Sequence, residues 1–430
     1  MSLFAECEDV EDLCLDSIDG TAYGVGFEII LFLYAFVGIA VVADEHLTTA
    51  LETLCHRWQI PEDVAGASFL AMGSAAPEIV VASVSTVKSI LADDMKSTEF
   101  AVSLGISSIL GSGMMAMTLI PALCAMAVPK PMELKRRPFA RDVVFYLVSL
   151  VLLWDVIIKG HISLVHAVLM VSLYVVYLLA TAFAPQVREM YRVRVCGMPP
   201  KQPLDLGSSN LEERLADGEK DDDDDDDEAE SPVKAALFLP FKPMCDLVAW
   251  TCPACEVGSP TEDKYAMTLL MSLTWLTVFS TILSATVTRF GTLLNVPATA
   301  MGAFVVAVGA QIPDTIQAVA VARRGHGSMA VASAAGSQVV NVLVGLGLPW
   351  LLTAGAGKDT PMPSDKGLAH LNFMMVLTVG CVAVYLGVLL APTVGTWGGE
   401  GKATLGRPQG YLLCLAYALV VAIFFVFMPR

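Results

Sequence analysis

The stretch Gly309-Ala-Gln-Ile-Pro-Asp314, in the middle of a long apolar segment, indicates the fold of this chain more clearly than any other. A similar stretch, Gly73-Ser-Ala-Ala-Pro-Glu78, lies in an apolar segment nearer the N-terminus. Both follow the pattern Gly-x-x-x-Pro-acid. A proline inside a helix has no N–H for the carbonyl oxygen four residues earlier. Each motif is therefore predicted to place a free glycine carbonyl about one helical turn from a carboxylate.

The composition around these motifs indicates a membrane protein. Of the 430 residues, 55% are hydrophobic and only 16% are charged, whereas soluble domains carry about 25% charged residues. The apolar residues fall in blocks of about 20, which is long enough for a helix to cross a bilayer about 30 Å thick. Transmembrane helices are predicted at about residues 24–43, 63–87, 100–127, 141–158, 162–183, 265–288, 294–322, 328–353, 368–391 and 409–428.

A polar segment separates the fifth predicted helix from the sixth. It contains seven consecutive aspartates, Asp221 to Asp227, and we expect it to be mostly disordered because such a run cannot be buried. The predicted units are an acidic extracytoplasmic N-terminus (1–23), a first five-helix repeat (24–183), a cytosolic acidic loop (184–264) and a second five-helix repeat (265–430). Five is an odd number, so corresponding helices run in opposite directions. The predicted fold is an all-α integral membrane protein of about ten helices in two inverted repeats, which is the usual plan of secondary transporters.

Charge predicts the orientation. The net charge of −17 comes from residues 1–23, with seven acids, and residues 211–230, with thirteen acids and two bases. Acidity confined to two aqueous segments argues against nucleic-acid binding. If the N-terminus lies outside the cytosol, 19 of the 26 Lys and Arg residues fall on the inside, as the positive-inside rule requires. Both termini are therefore predicted outside and the acidic loop inside.

The acids of the two motifs have the chemistry of a cation site. A charge at the bilayer centre costs about 2.5–3.5 kcal/mol even on a lenient scale and is normally functional. A structural hydrogen bond is the alternative role, but Glu78 and Asp314 stand at equivalent positions of two repeats, which favours function. Ser74 and Gln311 add neutral oxygens, and calcium prefers about six to eight oxygen ligands including carboxylates. By contrast, Glu28 near the start of the first helix is expected at the membrane interface.

These residues resemble the calcium/cation antiporter superfamily, in particular its sodium/calcium and potassium-dependent sodium/calcium exchangers. The matching stretches are residues 73–79 and 110–112 for the first alpha-repeat, and 309–314, 327–331 and 336–350 for the second. The resemblance implies electrogenic antiport of Ca²⁺ against Na⁺, without a cofactor, with Glu78 and Asp314 as central metal ligands. It implies supporting ligands at Gly73, Ser74, Gly309, Gln311, Ser112, Ser337 and Asn341.

Two departures from the family pattern bear on ion coupling. Ala116 stands where the family usually has an asparagine, which removes an expected oxygen and leaves the sodium stoichiometry open. Asn341 stands where the potassium-dependent branch has an aspartate. A potassium ion beside calcium would call for a third carboxylate, because an unbalanced cation in a low-dielectric site is costly. The sequence therefore predicts exchange that does not depend on K⁺.

Several alternatives stay open. Exchange of Ca²⁺, or of another divalent cation, for H⁺ would use the same two carboxylates. A cation channel is the alternative from another class, although inverted acidic repeats suit alternating access better than a continuous pore. An enzyme is not expected, since the predicted helices contain no Ser-His-Asp arrangement or metal-ligand cluster. The expected partners are Ca²⁺, Na⁺ and the lipid bilayer, in a plasma or organelle membrane; the oligomeric state stays undetermined.

Overall fold

The structure is a computed structural model that describes residues 22–58, 72, 75–91, 95–134, 136–194, 239–255, 259, 261–293, 296–355, 362–390 and 403–427. Nearly all of these residues are helical. Within a bilayer a helix satisfies its own backbone polar groups, so long apolar segments take this form.

The elements are numbered here in chain order. The helices are α1 (Ala22–Val41), α2 (Thr49–Arg57), α3 (Ala76–Leu91), α4 (Met95–Met117), α5 (Leu119–Ala127), α6 (Arg136–Lys159), α7 (Leu164–Arg194), α8 (Lys242–Thr251), α9 (Tyr265–Leu293), α10 (Ala298–Ala300), α11 (Ala307–Val321), α12 (Gly327–Val340), α13 (Gly347–Gly355), α14 (Asp365–Leu390) and α15 (Arg407–Phe427). The π-helical segments are Val42–Thr48, Met301–Val306, Ala322–His326 and Asn341–Leu346, and the strands are β1 (Met132–Leu134) and β2 (Ala403–Leu405).

Eight helices in the described part of the chain are long and apolar enough to cross a membrane. The chain is therefore an all-helical, multi-pass integral membrane protein. Helices α3 and α6 lie where the second and fourth spans are predicted; α3 has 16 residues and α6 has 24, with charged residues towards both of its ends. The number ten stays a prediction, because residues 59–71, 73 and 74, which precede α3, lie outside the described residues.

Contacts between loops and between helix ends show which ends lie on the same face of the protein. On one face, β1 pairs antiparallel with β2, so that Glu133 lies opposite Thr404. Towards the other end of α6, the Trp154 Nε1 atom donates a hydrogen bond of 3.1 Å to Asn372 Oδ1 in the first half of α14. The loops before α6 and after α14 thus share one face, and the loop after α6, which turns at Gly160 with a φ of +63°, shares the other with the start of α14.

The hydrophobic interior consists of two clusters of buried residues. One is formed mainly by α1 and α9, with α8 packed beside them, and the other by α4 to α7 and α12 to α15. Helix α3 contributes to both, with Val81 in the first cluster and Ala82 in the second. The segment around Met301 and Ala303 does the same in the second half of the chain. The helices that contain the two motifs therefore lie between the two clusters.

Helices extend into the predicted acidic loop. Helix α7 continues to Arg194, although its candidate membrane span, Leu164–Ala184, ends where predicted, and α8 forms inside the predicted loop. Helix α8 buries Met244 and Val248, which lie one turn apart on a single face. The aspartate run lies outside the described residues, as does the N-terminal segment 1–21.

Candidate functional site

The first motif lies at the N-terminal end of a helix. Helix α3 begins at Ala76, and Glu78 lies in its first turn. Proline is tolerated in the first turn because the N–H groups there have no intrahelical acceptor. The Glu78 side chain is only 1% exposed. Two predicted ligands, Gly73 and Ser74, lie outside the described residues.

The second motif lies inside a helix, as predicted. Pro313 is an interior residue of α11, which follows the π-helical segment Met301–Val306. Gly309 packs directly against the ring of Phe36 on α1, and a Cβ atom at this position would collide with that ring. Glycine is therefore required here for close approach rather than for an unusual backbone angle. Asp314 is half-buried and makes an interaction of its own, so the two predicted central acids differ in burial.

The two motifs meet at Glu78 and Gln311. The Gln311 Nε2 atom donates a hydrogen bond of 2.5 Å to Glu78 Oε1, and both side chains are 1% exposed. Within the described part of the chain, Glu78 Oε2 and Gln311 Oε1 have no hydrogen-bond partner. Buried polar atoms are nearly always satisfied, so orphaned oxygens call for an explanation. Two orphaned acceptors side by side match the needs of a cation.

A second polar group connects α4 with α12. Ser112 Oγ donates to Gln338 Oε1 at 3.1 Å, and Asn341 Nδ2 donates to the same oxygen at 3.4 Å. All three side chains are fully buried. Asn341 Oδ1 has no partner among the described residues, and neither has Gln338 Nε2. Asn341 also begins a π-helical segment, a geometry that is frequent at functional sites.

Helix packing brings this second group close to the first. A Cβ atom on Gly345, one turn after Asn341, would lie 3.6 Å from the Cα atom of Ile79, the residue after Glu78. The structure thus assembles Glu78, Gln311, Ser112 and Asn341 in one region. Ser112 Oγ also lies 3.0 Å from the Ile109 carbonyl oxygen of its own helix. Ser337 differs in that its hydroxyl donates to the Ala334 carbonyl of its own helix, at 3.1 Å, and to no second helix in the described part of the chain.

One residue of this region is absent from the predicted ligands. Gln338 accepts both hydrogen bonds of the second group, although its motif, Gly-Ser-Gln in residues 336–338, is part of the family resemblance. Helical spacing could have indicated that Gln338 belongs to this region, since it lies three residues before Asn341 and therefore on the same face of the helix.

Other buried acids are neutralised by arginines. Glu28 is 5% exposed and forms an ion pair of 2.7 Å with Arg289 of α9. Asp142 is 3% exposed and pairs with Arg141 at 2.8 Å. Glu28 therefore packs inside the protein, where a partner on another helix compensates the cost of burial; its depth in the membrane stays a prediction. Among the buried carboxylates in the described residues, Glu78 alone is hydrogen-bonded to a side-chain amide rather than paired with an arginine.

Comparison with known proteins matches this architecture. The family model described as sodium/calcium exchanger protein matches residues 27–183 and 264–426. The two matched segments correspond closely to the two halves on either side of the acidic loop.

Individual relatives that are similar to this chain are also named as exchangers. Human sodium/potassium/calcium exchanger 5 is 27% identical over 83% of this chain and 76% of its own length. Human sodium/potassium/calcium exchanger 4 is 24% identical over 90% of this chain and 79% of its own length. Among solved structures, the crystal structure of an H⁺/Ca²⁺ exchanger has a TM-score of 0.54 at 13% identity, covering 94% of this chain and 90% of that one. It shares the fold.

Proposed function

Because this chain belongs to the sodium/calcium exchanger protein family, we propose that it exchanges Ca²⁺ for Na⁺ by alternating access and does so without K⁺. The family is one of transporters rather than enzymes, and cation exchange is the activity common to it and to the named relatives. Ca²⁺ and Na⁺ are cargo in this proposal, and the lipid bilayer is the surrounding partner.

The observation that carries the proposal is the contact between Glu78 and Gln311. It brings together one residue from each motif in a buried place and leaves one oxygen on each side chain without a partner. Asn341 Oδ1 is a third such oxygen. Calcium is a hard cation that binds carboxylate and amide oxygens. Glu78 is the proposed central ligand, Gln311 and Asn341 supply neutral oxygens, and Asp314, three residues after Gln311, supplies the second negative charge.

Each of the remaining predicted ligands enters the proposal through a different observation. Ser112 is hydrogen-bonded within the same region through Gln338, and Gly309 permits close packing beside the motif. Ser337 would have to turn its hydroxyl away from Ala334 to reach a cation. Gly73 and Ser74 enter the proposal from the sequence motif alone.

Independence from K⁺ is proposed from charge. Two carboxylates balance one calcium ion, and a further monovalent cation in a low-dielectric site would need a third. The buried acids Glu28 and Asp142 already face arginines, and position 341 is an asparagine. The names of the relatives include potassium, so K⁺-dependent exchange is the principal competing hypothesis.

The coupling ion is tested by flux into vesicles that contain the purified protein. We expect an imposed Na⁺ gradient to drive Ca²⁺ uptake in the absence of K⁺, and an imposed pH gradient to drive little. Uptake driven by the pH gradient alone would replace Na⁺ by H⁺ in the proposal. Current that persists without any counter-ion gradient would instead indicate a channel.

A further inference from the structure

Helix α6 contributes a buried tyrosine to the region of the candidate site, although none of the predicted ligands lies on this helix. The side chain of Tyr146 is 0% exposed, and its hydroxyl has no hydrogen-bond partner among the described residues. A buried hydroxyl usually finds a partner, because leaving it unpaired costs free energy. An unpaired one therefore points to a group that it meets in another state of the protein.

The Tyr146 hydroxyl packs directly against Gly113. A Cβ atom on Gly113 would collide with the Tyr146 hydroxyl, and the same Cβ would lie 3.7 Å from Gln338 Oε1. The tyrosine hydroxyl and the Gln338 carboxamide therefore border one glycine, which directly follows Ser112. Gln338 Nε2 is itself a buried donor without a partner in the described residues. Gln338 Oε1 and Nε2 are the two ends of one carboxamide, so the Tyr146 hydroxyl and Gln338 Nε2 are two unsatisfied groups in one neighbourhood.

A neighbouring tyrosine shows the contrasting case. The Tyr177 hydroxyl lies 3.4 Å from the Cβ position of Gly336, the glycine that precedes Ser337. It donates a hydrogen bond of 3.2 Å to Asp142 Oδ1, which also accepts from Arg141. Tyr177 is therefore satisfied by groups outside the candidate site, whereas Tyr146 is not.

The orientation of Gln338 matters for the cation. Its Oε1 accepts from Asn341 Nδ2, which leaves Asn341 Oδ1 as the free end of that amide. If the Gln338 carboxamide turned over, Asn341 would have to turn as well, and an N–H group would replace the oxygen. An amide N–H cannot bind a cation. A hydroxyl that accepts from Gln338 Nε2 and donates to another group would stabilise both amides in the observed direction, with the Asn341 oxygen free.

We propose that Tyr146 is a positioning residue of the cation site, whose hydroxyl oxygen accepts a hydrogen bond from Gln338 Nε2 and thereby keeps Asn341 Oδ1 available to the cation. This inference rests on the proposed function. Tyr146 itself does not bind the cation, because it acts through Gln338 and Asn341.

The test compares Tyr146→Phe with a matched control. Tyr385→Phe removes the hydroxyl of another fully buried tyrosine without a hydroxyl partner, whose ring packs against Phe139, two turns before Tyr146 on α6. Ca²⁺ uptake in vesicles gives the half-saturating Ca²⁺ concentration and the maximal rate per folded protein. We expect Tyr146→Phe to raise the half-saturating concentration about three- to tenfold, the size of one lost hydrogen bond, and Tyr385→Phe to leave it unchanged.

A second position tests whether the effect of Tyr146→Phe is purely structural. Gly113→Ala should impair uptake because its methyl group meets the hydroxyl, and adding Tyr146→Phe should recover part of the loss, since the ring Cζ atom lies 3.2 Å away. A Tyr146→Phe protein with an unchanged half-saturating concentration would overturn this inference alone, whatever its maximal rate. Equal shifts in Tyr146→Phe and Tyr385→Phe would overturn it too. A wild-type protein that transports no Ca²⁺ would overturn the proposed function along with it.

Discussion

The side-chain amide of Gln311 donates a hydrogen bond of 2.5 Å to the carboxylate of Glu78, although the two residues belong to opposite halves of the chain. Glu78 lies at the start of α3 and Gln311 inside α11. The bond joins the two halves of the chain at the cation site proposed above. A cation that binds there must compete with this contact or use the oxygen that each partner leaves free.

Removing either negative charge should stop transport. Glu78→Gln preserves size and a hydrogen bond to Gln311, and Asp314→Asn preserves size at the half-buried position. Each leaves one carboxylate facing a divalent ion, so we expect Ca²⁺ flux to fall to background while the amount of folded protein changes little. Flux and expression are measured on the same vesicle preparations. Normal flux in either variant would remove that residue from the site.

Breaking the contact between the repeats should weaken Ca²⁺ binding without removing charge. Gln311→Met has similar length but neither donates to Glu78 nor offers an oxygen. We expect the half-saturating Ca²⁺ concentration to rise about tenfold, which corresponds to about 1.4 kcal/mol, because the variant removes one neutral oxygen ligand of the proposed site. Thr315→Val, one turn further along, is the control, since the Thr315 hydroxyl donates only to the Gln311 carbonyl oxygen. An unchanged value in Gln311→Met would mean that Gln311 is not a ligand.

Some of these relationships could be predicted from the sequence and others could not. The all-helical membrane fold is confirmed, because apolar length and the requirement for internal hydrogen bonding leave few other solutions. The membership of the exchanger family, predicted from the two motifs, is confirmed as well. The role of each ligand stays a prediction. The pairing of Glu28 with Arg289 could not be foreseen, because it depends on the register between α1 and α9, which no local pattern encodes.

That buried ion pair should matter for stability. Removing one partner of such a pair leaves the other charge buried and uncompensated, at a cost of about 3–5 kcal/mol. Glu28→Met and Arg289→Met should therefore each lower the thermal unfolding temperature of the detergent-solubilised protein. The double variant Glu28→Met with Arg289→Met should recover most of the loss, since it leaves neither charge. A double variant less stable than either single one would show that the pair does not act as a unit.

Topology can be tested by labelling from each side. The split of basic residues predicts that Cys7 and Cys14 react with impermeant thiol reagents from outside the cytosol. An epitope placed beside Asp221 to Asp227 should be reached only from the cytosolic side. Five helices separate the two positions in the inverted-repeat arrangement, so they must lie on opposite faces. Labelling of both from one side would exclude that arrangement.

A second topological test uses the small sheet. Glu133 and Thr404 lie opposite each other in β1 and β2, so the pair Glu133→Cys and Thr404→Cys should form a disulfide under mild oxidation. Glu133→Cys with Ser364→Cys is the control, because Ser364 directly precedes α14, at the end opposite the sheet. Cross-linking of the control pair alone would contradict the arrangement of the loops.

The residue at position 341 leads us to expect exchange that does not depend on potassium. Glu78 and Asp314 together carry two negative charges, which one calcium ion neutralises, whereas Asn341 offers an oxygen without charge. We therefore expect sodium-driven Ca²⁺ uptake at clamped voltage to be equal with K⁺ absent or present on both sides. Asn341→Asp adds a carboxylate beside Gln338, in the buried region next to α3, and should make uptake sensitive to K⁺. Ala116, which offers no oxygen, would limit the size of that gain, so the wild-type measurement is the more decisive one. Strict dependence of the wild-type protein on K⁺ would refute the charge balance proposed here, and it would require a third carboxylate within reach of the site.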